Sequence, residues 1–335
     1  MKNPVRSTSQ LADALGLSRW TVSRALNGHK GIHAETAERI RLAARDHGFS
    51  PSILGRSLRT GKTDLVGVCV PDLVDYFLTD KVMHLQKAVS ARGLDVLLQI
   101  SDGTPESENA ALERFAAMRC RGVVVVAPQL SPEAPGWRNL AAADIPVVRV
   151  DSLAPARGRN VDTNRAAGLR QVVEHLHGLH HREIAAVAIF PDTVYARQRI
   201  DGLSAGARDA GWNPGKQIHF WHPPDGDGSW KEFESHPVTA LVALNDRIAL
   251  RLIRWAACHG LRVPEDLSIV GFDNAEIAAI SRPSLTTVDP RPDLLIERAV
   301  RFLFEKKPRH ARIKPELVIR ESTGPAPRKR KTRHV

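Results

Sequence analysis

Seven short apolar runs recur along most of the chain, each separated from the next by a segment long enough for a helix: LVGVCV, LDVLLQI, GVVVVAP, IPVVRVD, EIAAVAIF, TALVALN and LSIVGFD. No other feature restricts the fold as much. Residues that are apolar at consecutive positions describe strands buried on both faces, and strands alternating with helices lie parallel with helices on either side. Roughly seven to ten strands over ~250 residues suit two sheets with a cleft between them better than one sheet. In open sheets of this kind a ligand binds beyond the carboxyl ends of the strands. That rule selects Asp151 after VVRV, Asn245 and Asp246 after LVAL, and Asp273 and Asn274 after IVGF. Acid and amide groups there can fork hydrogen bonds to adjacent hydroxyls, although each position also suits a helix cap or turn, Asp246 in particular.

The first sixty residues follow another rule. Ser7 can cap a helix through QLADALG, with Leu11, Ala12 and Leu15 on one face and Gly16 ending it. Ser18 can cap a second helix, on which Val22, Ala25 and Leu26 share one side while Trp20, Ser23, Arg24 and Asn27 lie opposite. A third helix runs from Ala34 to His47, burying Ala37, Ile40 and Ala44 before Gly48. Two short helices around a tight turn, closed by a third, describe a helix-turn-helix module. The face carrying Arg19, Trp20, Ser23, Arg24 and Asn27 suits a DNA major groove: arginine reads guanine edges, and an aromatic packs on a thymine methyl. Ser18, Thr21, Ser23 and Asn27 are placed to hold phosphates, and Ser7, at the start of the first helix, is counted with them as a DNA contact.

Charge supports this division. Residues 1–62 hold 11 Lys and Arg against 4 Asp and Glu, residues 328–335 hold 5 against none, and the stretch between has 32 against 33. Basicity confined to a short N-terminal segment is the footprint of a nucleic-acid-binding module. The tail, residues 325–335, with Pro325 and Pro327 and no apolar periodicity, is expected to be disordered. Cys69, Cys120 and Cys258 are scattered singly, with neither disulfide nor metal-ligand spacing, and are expected as buried thiols. With no run of 18 apolar residues and no apolar core for a secretory signal, a cytoplasmic protein without a membrane segment is expected.

TVSRALN, an ETAERI helix and FSPS before ILGRSLR resemble the DNA-binding head and hinge of the lactose-repressor (LacI/GalR) family of bacterial transcription regulators. VPDLVDYF, VVEHLHGLHHREIA, ARQRIDGL, ALNDRIAL, LRVPEDLSIVGFDN, PSLTTV and ELVIREST extend the resemblance over residues 5–324. It implies a head over 1–50, a hinge over 51–62, and a bilobed, periplasmic-binding-protein-like effector domain over 63–324 whose chain crosses between lobes near 160, 289 and 320. It assigns base reading to Arg19, Trp20 and Arg24. Leu58, from each subunit of a homodimer, would wedge into the minor groove of a pseudo-palindromic operator, an insertion that unstacks a base step; the alternative for Leu58 is a linker residue packed on the domain behind it. Arg199, Phe77 and Trp230 join Asp151, Asn245 and Asp273 as effector contacts. Departures from the family pattern are Gly55 for alanine in the hinge, His33 for a serine cap, DYFL for NPFF and LHHR for LGHR.

Two motifs tempt other readings. GLSAG matches the G-x-S-x-G nucleophile elbow by letters, but Ser204 lies inside an amphipathic stretch and not on a strand-to-helix turn. HLHGLHH places His177 and His181 at i,i+4, yet it closes a helix where imidazoles meet the negative end of the dipole, so no metal is assigned. The expectation is therefore a non-enzymatic, cofactor-free DNA-binding regulator, a repressor, controlled by a sugar or sugar derivative, with a purine as second choice. The rival readings are a solute-binding protein of the same fold without a transcriptional role, and a hydrolase resting on GLSAG.

Overall fold

The computed structural model describes residues 5, 7–26, 31–49, 61–74, 76–152, 158–188 and 194–328. Asn27, Leu58 with the hinge expected around it, and residues 329–335 lie outside the described residues. Two compact units emerge, Met1–Asp64 with Met118–Arg121 and Leu65–Ala117 with Gly122–Val335.

In the smaller unit the helices are α1 (Thr8–Leu15), α2 (Arg19–Leu26) and α3 (Ala34–Asp46). Ser7 Oγ accepts the Gln10 N–H at 3.1 Å, and Gly16 ends α1 at φ 64°, a backbone region costly for any residue with a Cβ. Ser18 Oγ accepts the Thr21 N–H at 3.0 Å and starts α2 in the same way. His33 precedes α3 without a side-chain cap bond. Leu11, Ala12, Val22, Ala25, Ala37, Ile40 and Ala44 form the core between the three helices.

The larger unit begins with β1 (Leu65–Val70), α4 (Tyr76–Ser90), β2 (Asp95–Ile100), α5 (Pro105–Ala117), β3 (Gly122–Val126), α6 (Pro135–Ala142), β4 (Val147–Val150) and β5 (Arg159–Thr163). There follow α7 (Arg165–Gly178), β6 (Ile184–Val187), α8 (Val194–Asp209), α9 (Pro214–Gln217), β7 (Ile218–Trp221), α10 (Lys231–Ser235), β8 (Ala240–Ala243), α11 (Asp246–Cys258), β9 (Ser268–Phe272), α12 (Glu276–Ile280) and β10 (Thr286–Asp289). The last elements are α13 (Pro292–Phe304), β11 (His310–Ile313) and β12 (Glu316–Val318). One sheet has the order β11-β5-β4-β3-β1-β2 and the other β12-β10-β9-β8-β6-β7. Every pairing is parallel except β10 with β12. The chain thus passes between sheets after β5, after β10, and between β11 and β12. The third passage falls at Lys314 and Pro315, earlier than 320, because Glu316 to Val318 already pair with β10.

Each of the seven apolar runs contributes one strand. The strands β5, β7, β10, β11 and β12 are additional; all lie at the flanks of their sheets and carry polar side chains (RNVDT, IHFW, TTVD, HARI, ELV). A flank strand buries less apolar surface, so its run of β-branched residues is shorter. The first sheet packs Val66, Val124, Val148 and Val161 against Leu85 of α4 and Leu295, Ile296 and Val300 of α13. The second packs Leu252 and Trp255 of α11 on one face, and Leu169, Val173 and Leu203 of α7 and α8 on the other. Among the described residues no helix is long and apolar enough to cross a membrane. Cys69 and Cys120 are buried as expected, burial pushing the Cys69 thiol up to about 12. Cys258 is a correction, for it is exposed where α11 ends.

The GLSAG glycines have a packing role. A Cβ on Gly202 would stand 2.6 Å from Ala166 Cα and one on Gly206 would stand 3.0 Å from Arg170 Cα, so two glycines one turn apart let α8 lie against α7. Ser204 sits between them, inside α8. Replacing Gly202 by alanine gains about 1 kcal/mol of helix propensity, but the obstruction is backbone and cannot rotate away. The overpacking penalty, roughly 1–3 kcal/mol, should prevail, and Gly202→Ala should lower the urea midpoint. A Cβ on Gly178, in α7, would meet nothing within 4 Å, so Gly178→Ala should raise stability by about 0.4–1 kcal/mol. Equal signs for the two variants in urea titrations would refute this packing account.

His181 clasps the end of the second sheet: Nδ1 meets Thr239 Oγ1 at 2.8 Å, while Nε2 meets Ser268 Oγ and the Gly324 carbonyl, both at 3.1 Å. A carbonyl only accepts, so Nε2 carries the proton. Burial pushes this imidazole down to about 4, with His175 adding to the effect and the Gly324 bond opposing it. The unfolded chain therefore takes up the proton first, and stability present above pH 6.5 is lost as the pH falls toward 4. The linkage amounts to roughly 3 kcal/mol. Subtracting the stability-against-pH curve of His181→Gln from that of the unsubstituted protein should reveal this acid slope; parallel curves would show that His181 does not contribute it.

Candidate functional site

Trp20 is 63% exposed, next to exposed Arg19, while Val22 and Ala25 of the same helix are buried. One turn after Trp20, the Arg24 guanidinium lies 4.8 Å from the centre of the indole ring. The ring thus limits the swing of a long cation, and ring and cation form one continuous face. Ser23 and Arg24 are half-buried beside it. Ser7 and Ser18 both spend an acceptor lone pair on the helix N-termini, and Ser18 shares a 2.8 Å hydrogen bond with Thr21 Oγ1. These N-termini also present backbone N–H groups, the usual partners of phosphate.

In the larger unit a cavity of about 240 Å³ is lined from both sheets by Pro71 and Asp72 after β1, Ala127 and Gln129 after β3, Asp151 after β4, Leu244 and Asn245 after β8, and Asp273 after β9. Helices contribute Phe77, Leu78 and Lys81 from α4, Arg165 from α7 and Arg199 from α8. Five of the residues singled out from the sequence, Phe77, Asp151, Arg199, Asn245 and Asp273, therefore come together.

Trp230 does not join them. It is 2% exposed and packs in an aromatic cluster with Trp221, Phe233 and Trp255, its Nε1 donating to the His222 carbonyl at 2.9 Å. Its large apolar surface is buried against α11, which removes it from the cleft. Asn245 takes the capping role expected of Asp246 while still lining the cavity. Asn245 Oδ1 caps α11 by accepting the Ile248 N–H at 2.8 Å, whereas Asp246 turns inward and accepts the Ala275 N–H at 2.7 Å and the Thr287 hydroxyl. Asn274 is tied to Asp289 and Arg320.

The floor of the cavity is ionic. Lys81 Nζ donates to Asp151 Oδ2, Arg165 Nη2 lies 3.1 Å from Asp151 Oδ1, and none of the three is more than 4% exposed. Burial pushes the Asp151 carboxyl up, but Arg165 and Lys81 outweigh it and hold the group below the usual carboxylate range. Two cations sharing one carboxylate leave Lys81 as the group that yields: burial lowers it to about 8, Asp151 opposing and Arg165 reinforcing. Its ammonium also stands 3.5 Å from the centre of the Phe77 ring. On the opposite wall Arg199 lies 4.4 Å from the Phe272 ring centre and 3.9 Å from Asp273 Oδ1. Ala127, Asp151 and Asp273, which follow β3, β4 and β9 at the cavity, all have positive φ, 52°, 53° and 114°. Lys81 and Arg165 were missed from the sequence, although a lysine on the Leu78–Leu85 stripe of an amphipathic helix was a readable sign.

Residues 10–52 match the family of bacterial regulatory proteins of the lacI type, and residues 173–323 match the periplasmic binding protein-like domain. The HTH-type transcriptional regulator DegA of Bacillus subtilis is 26% identical over 94% of this chain and 97% of its own length. Two solved structures, each 24% identical, share the fold. The lac repressor dimer bound to operator and the anti-inducer ONPF has a TM-score of 0.81, covering 96% of this chain and 100% of that one. The transcriptional regulator CelR–cellobiose complex has a TM-score of 0.67, covering 94% and 99%. A regulatory head at residues 10–52 sets aside the reading as a solute-binding protein without a transcriptional role. Residues 10–52 thus belong to the lacI family of bacterial regulatory proteins and residues 173–323 to the periplasmic binding protein-like domain, the two parts of a DNA-binding transcriptional regulator.

Proposed function

We propose that this regulator is a repressor whose homodimer reads each operator half-site with Arg19, Trp20 and Arg24, and whose affinity is set by a sugar or sugar derivative bound in the cleft. The exposed Trp20–Arg24 face carries the DNA assignment. Its ring supports thymine-methyl or shape readout beside the guanine-reading arginines. Ser7, Ser18, Thr21, Ser23 and Asn27 are assigned to phosphates, and Leu58 to the minor-groove wedge.

The charge balance of the cavity supports a neutral polyol. Asp72, Asp151 and Asp273 stand against Lys81, Arg165 and Arg199, an even count, with Gln129 and Asn245 adding amides and Phe77 an apolar face. Charged groups in pairs offer donors and acceptors side by side, the pattern that vicinal hydroxyls satisfy, and the aromatic covers a C–H face. The structural relative that binds cellobiose is consistent with this class. Effector binding can shift operator affinity only through different affinities for two arrangements of the lobes.

Loss of both Trp20 and Arg24 should remove about 1–3 kcal/mol per base contact. In fluorescence anisotropy with operators selected from a random DNA pool, Trp20→Ala/Arg24→Ala should bind selected and scrambled duplexes alike; retained discrimination would sink the assignment of the reading face. For the cleft, a thermal-shift screen should find a sugar that raises Tm, since ligand that binds only the folded state stabilises it. Arg199→Ala should abolish that shift while leaving DNA binding by the free protein intact. A nucleobase that shifts Tm when no sugar does would transfer the site to a purine.

A further inference from the structure

Outside the head and the cleft, three metal-ligating side chains from distant parts of the sequence meet at the open edge of the second sheet. Glu183 immediately precedes β6, His219 is the second residue of the edge strand β7, and His236 ends α10. Strand geometry accounts for the first two. Ala185 pairs with His219 in the parallel register, and Glu183, two residues before Ala185, falls on the same face. His236 is delivered from the turn after α10.

Glu183 Oε1 lies 2.8 Å from His219 Nε2 and 2.7 Å from His236 Nε2. The two imidazole centres are 4.3 Å apart, and one ligand atom from each of the three residues lies within 4.8 Å of the others. The His219 ring lies beside Trp221, centres 5.8 Å apart and planes 29° from parallel, while the His236 side chain is 49% exposed and leaves one side open to water. An ion pair needs only one imidazole on a carboxylate; here both Nε2 atoms are aimed at the same oxygen.

We propose that Glu183, His219 and His236 form a binding site for a divalent transition-metal ion, Zn²⁺ foremost, with water completing the coordination from the exposed side. Two imidazoles and a carboxylate suit Zn²⁺, Ni²⁺ or Cu²⁺, whereas Ca²⁺ and Mg²⁺ favour oxygen ligands throughout. Ligand atoms about 2.0–2.1 Å from a tetrahedral ion are about 3.3 Å apart, so each histidine need withdraw from Glu183 by only about half an ångström. Coordination takes the Nε2 lone pair: a neutral imidazole moves its proton from Nε2 to Nδ1 through solvent, and an imidazolium releases one proton to solvent. The ion would tie β6, β7 and α10 together and close the free edge of the sheet.

The test is calorimetric titration of ZnCl₂ into the untagged full-length protein after chelator treatment, with the Co²⁺ absorption spectrum as a second reading of the ligand set. One Zn²⁺ should bind per chain and raise Tm. E183Q, which keeps the hydrogen bonds but not the charge, and H236A, at a half-exposed position, should each weaken binding by about tenfold or more, since even outer-shell changes cost that much. H177A, away from the site, should leave it unchanged. Absence of saturable Zn²⁺ uptake by the unsubstituted protein, or wild-type affinity in either E183Q or H236A, would overturn the proposal.

Discussion

One carboxylate holds the larger unit's two halves in register. Asp151 ends β4 of the first sheet, and it binds Lys81 from α4 together with Arg165, the first residue of α7, whose Leu169, Val173 and Leu176 belong to the core of the second sheet. Removing one partner from such a buried group leaves an uncompensated charge and costs about 3–5 kcal/mol, although an apolar replacement of the whole cluster costs far less. Its return is therefore not stability. The cluster keeps an ammonium, a guanidinium and a carboxylate buried and fixed at a cavity wall, at the point where the chain passes from one lobe to the other.

The two units divide their electrostatics accordingly. The head concentrates positive charge in 62 residues, while the stretch that builds both sheets is balanced at 32 basic against 33 acidic residues. A polyanion meets its complement at the head and at the short basic stretch 328–335, and an uncharged ligand enters the cleft without opposing a strong field. Within the head, specificity rests on less than the charge. The stacked Trp20 and Arg24 are held by their spacing on one helix, and that helix by a small core of buried side chains with half-buried ones packed around it.

What could be read in advance follows how locally each feature is determined. Caps and glycine stops marked both ends of α1, the start of α2 and the end of α3 because a serine oxygen or a left-handed glycine acts within four residues. Strands buried on both faces could be recognised from their β-branched runs, whereas TTVD and HARI gain their partners from chain 16 or more residues away and carry no local sign. The same limit explains the site. Asp273 and Asn245 follow from the strand-end rule, but Trp230 lies in a loop whose course depends on Trp221 and Trp255, and Lys81 is buried only because Asp151 and Arg165 arrive from other elements. The GLSAG letters suggested a nucleophile; the neighbouring helix shows that the glycines, and not the serine, are what the packing requires.

The exposure of Trp20 also makes the protein its own spectroscopic reporter. Five of the six tryptophans, Trp137, Trp212, Trp221, Trp230 and Trp255, are at most 9% exposed, and Trp20 alone faces water at 63%. Indole emission moves to the red in water, so the long-wavelength edge of the intrinsic fluorescence belongs to the head and the short-wavelength part to the larger unit. Iodide, which quenches only accessible rings, would select the same residue. Events at the DNA-reading helix and events around the sheets can thus be followed separately in one unlabelled sample.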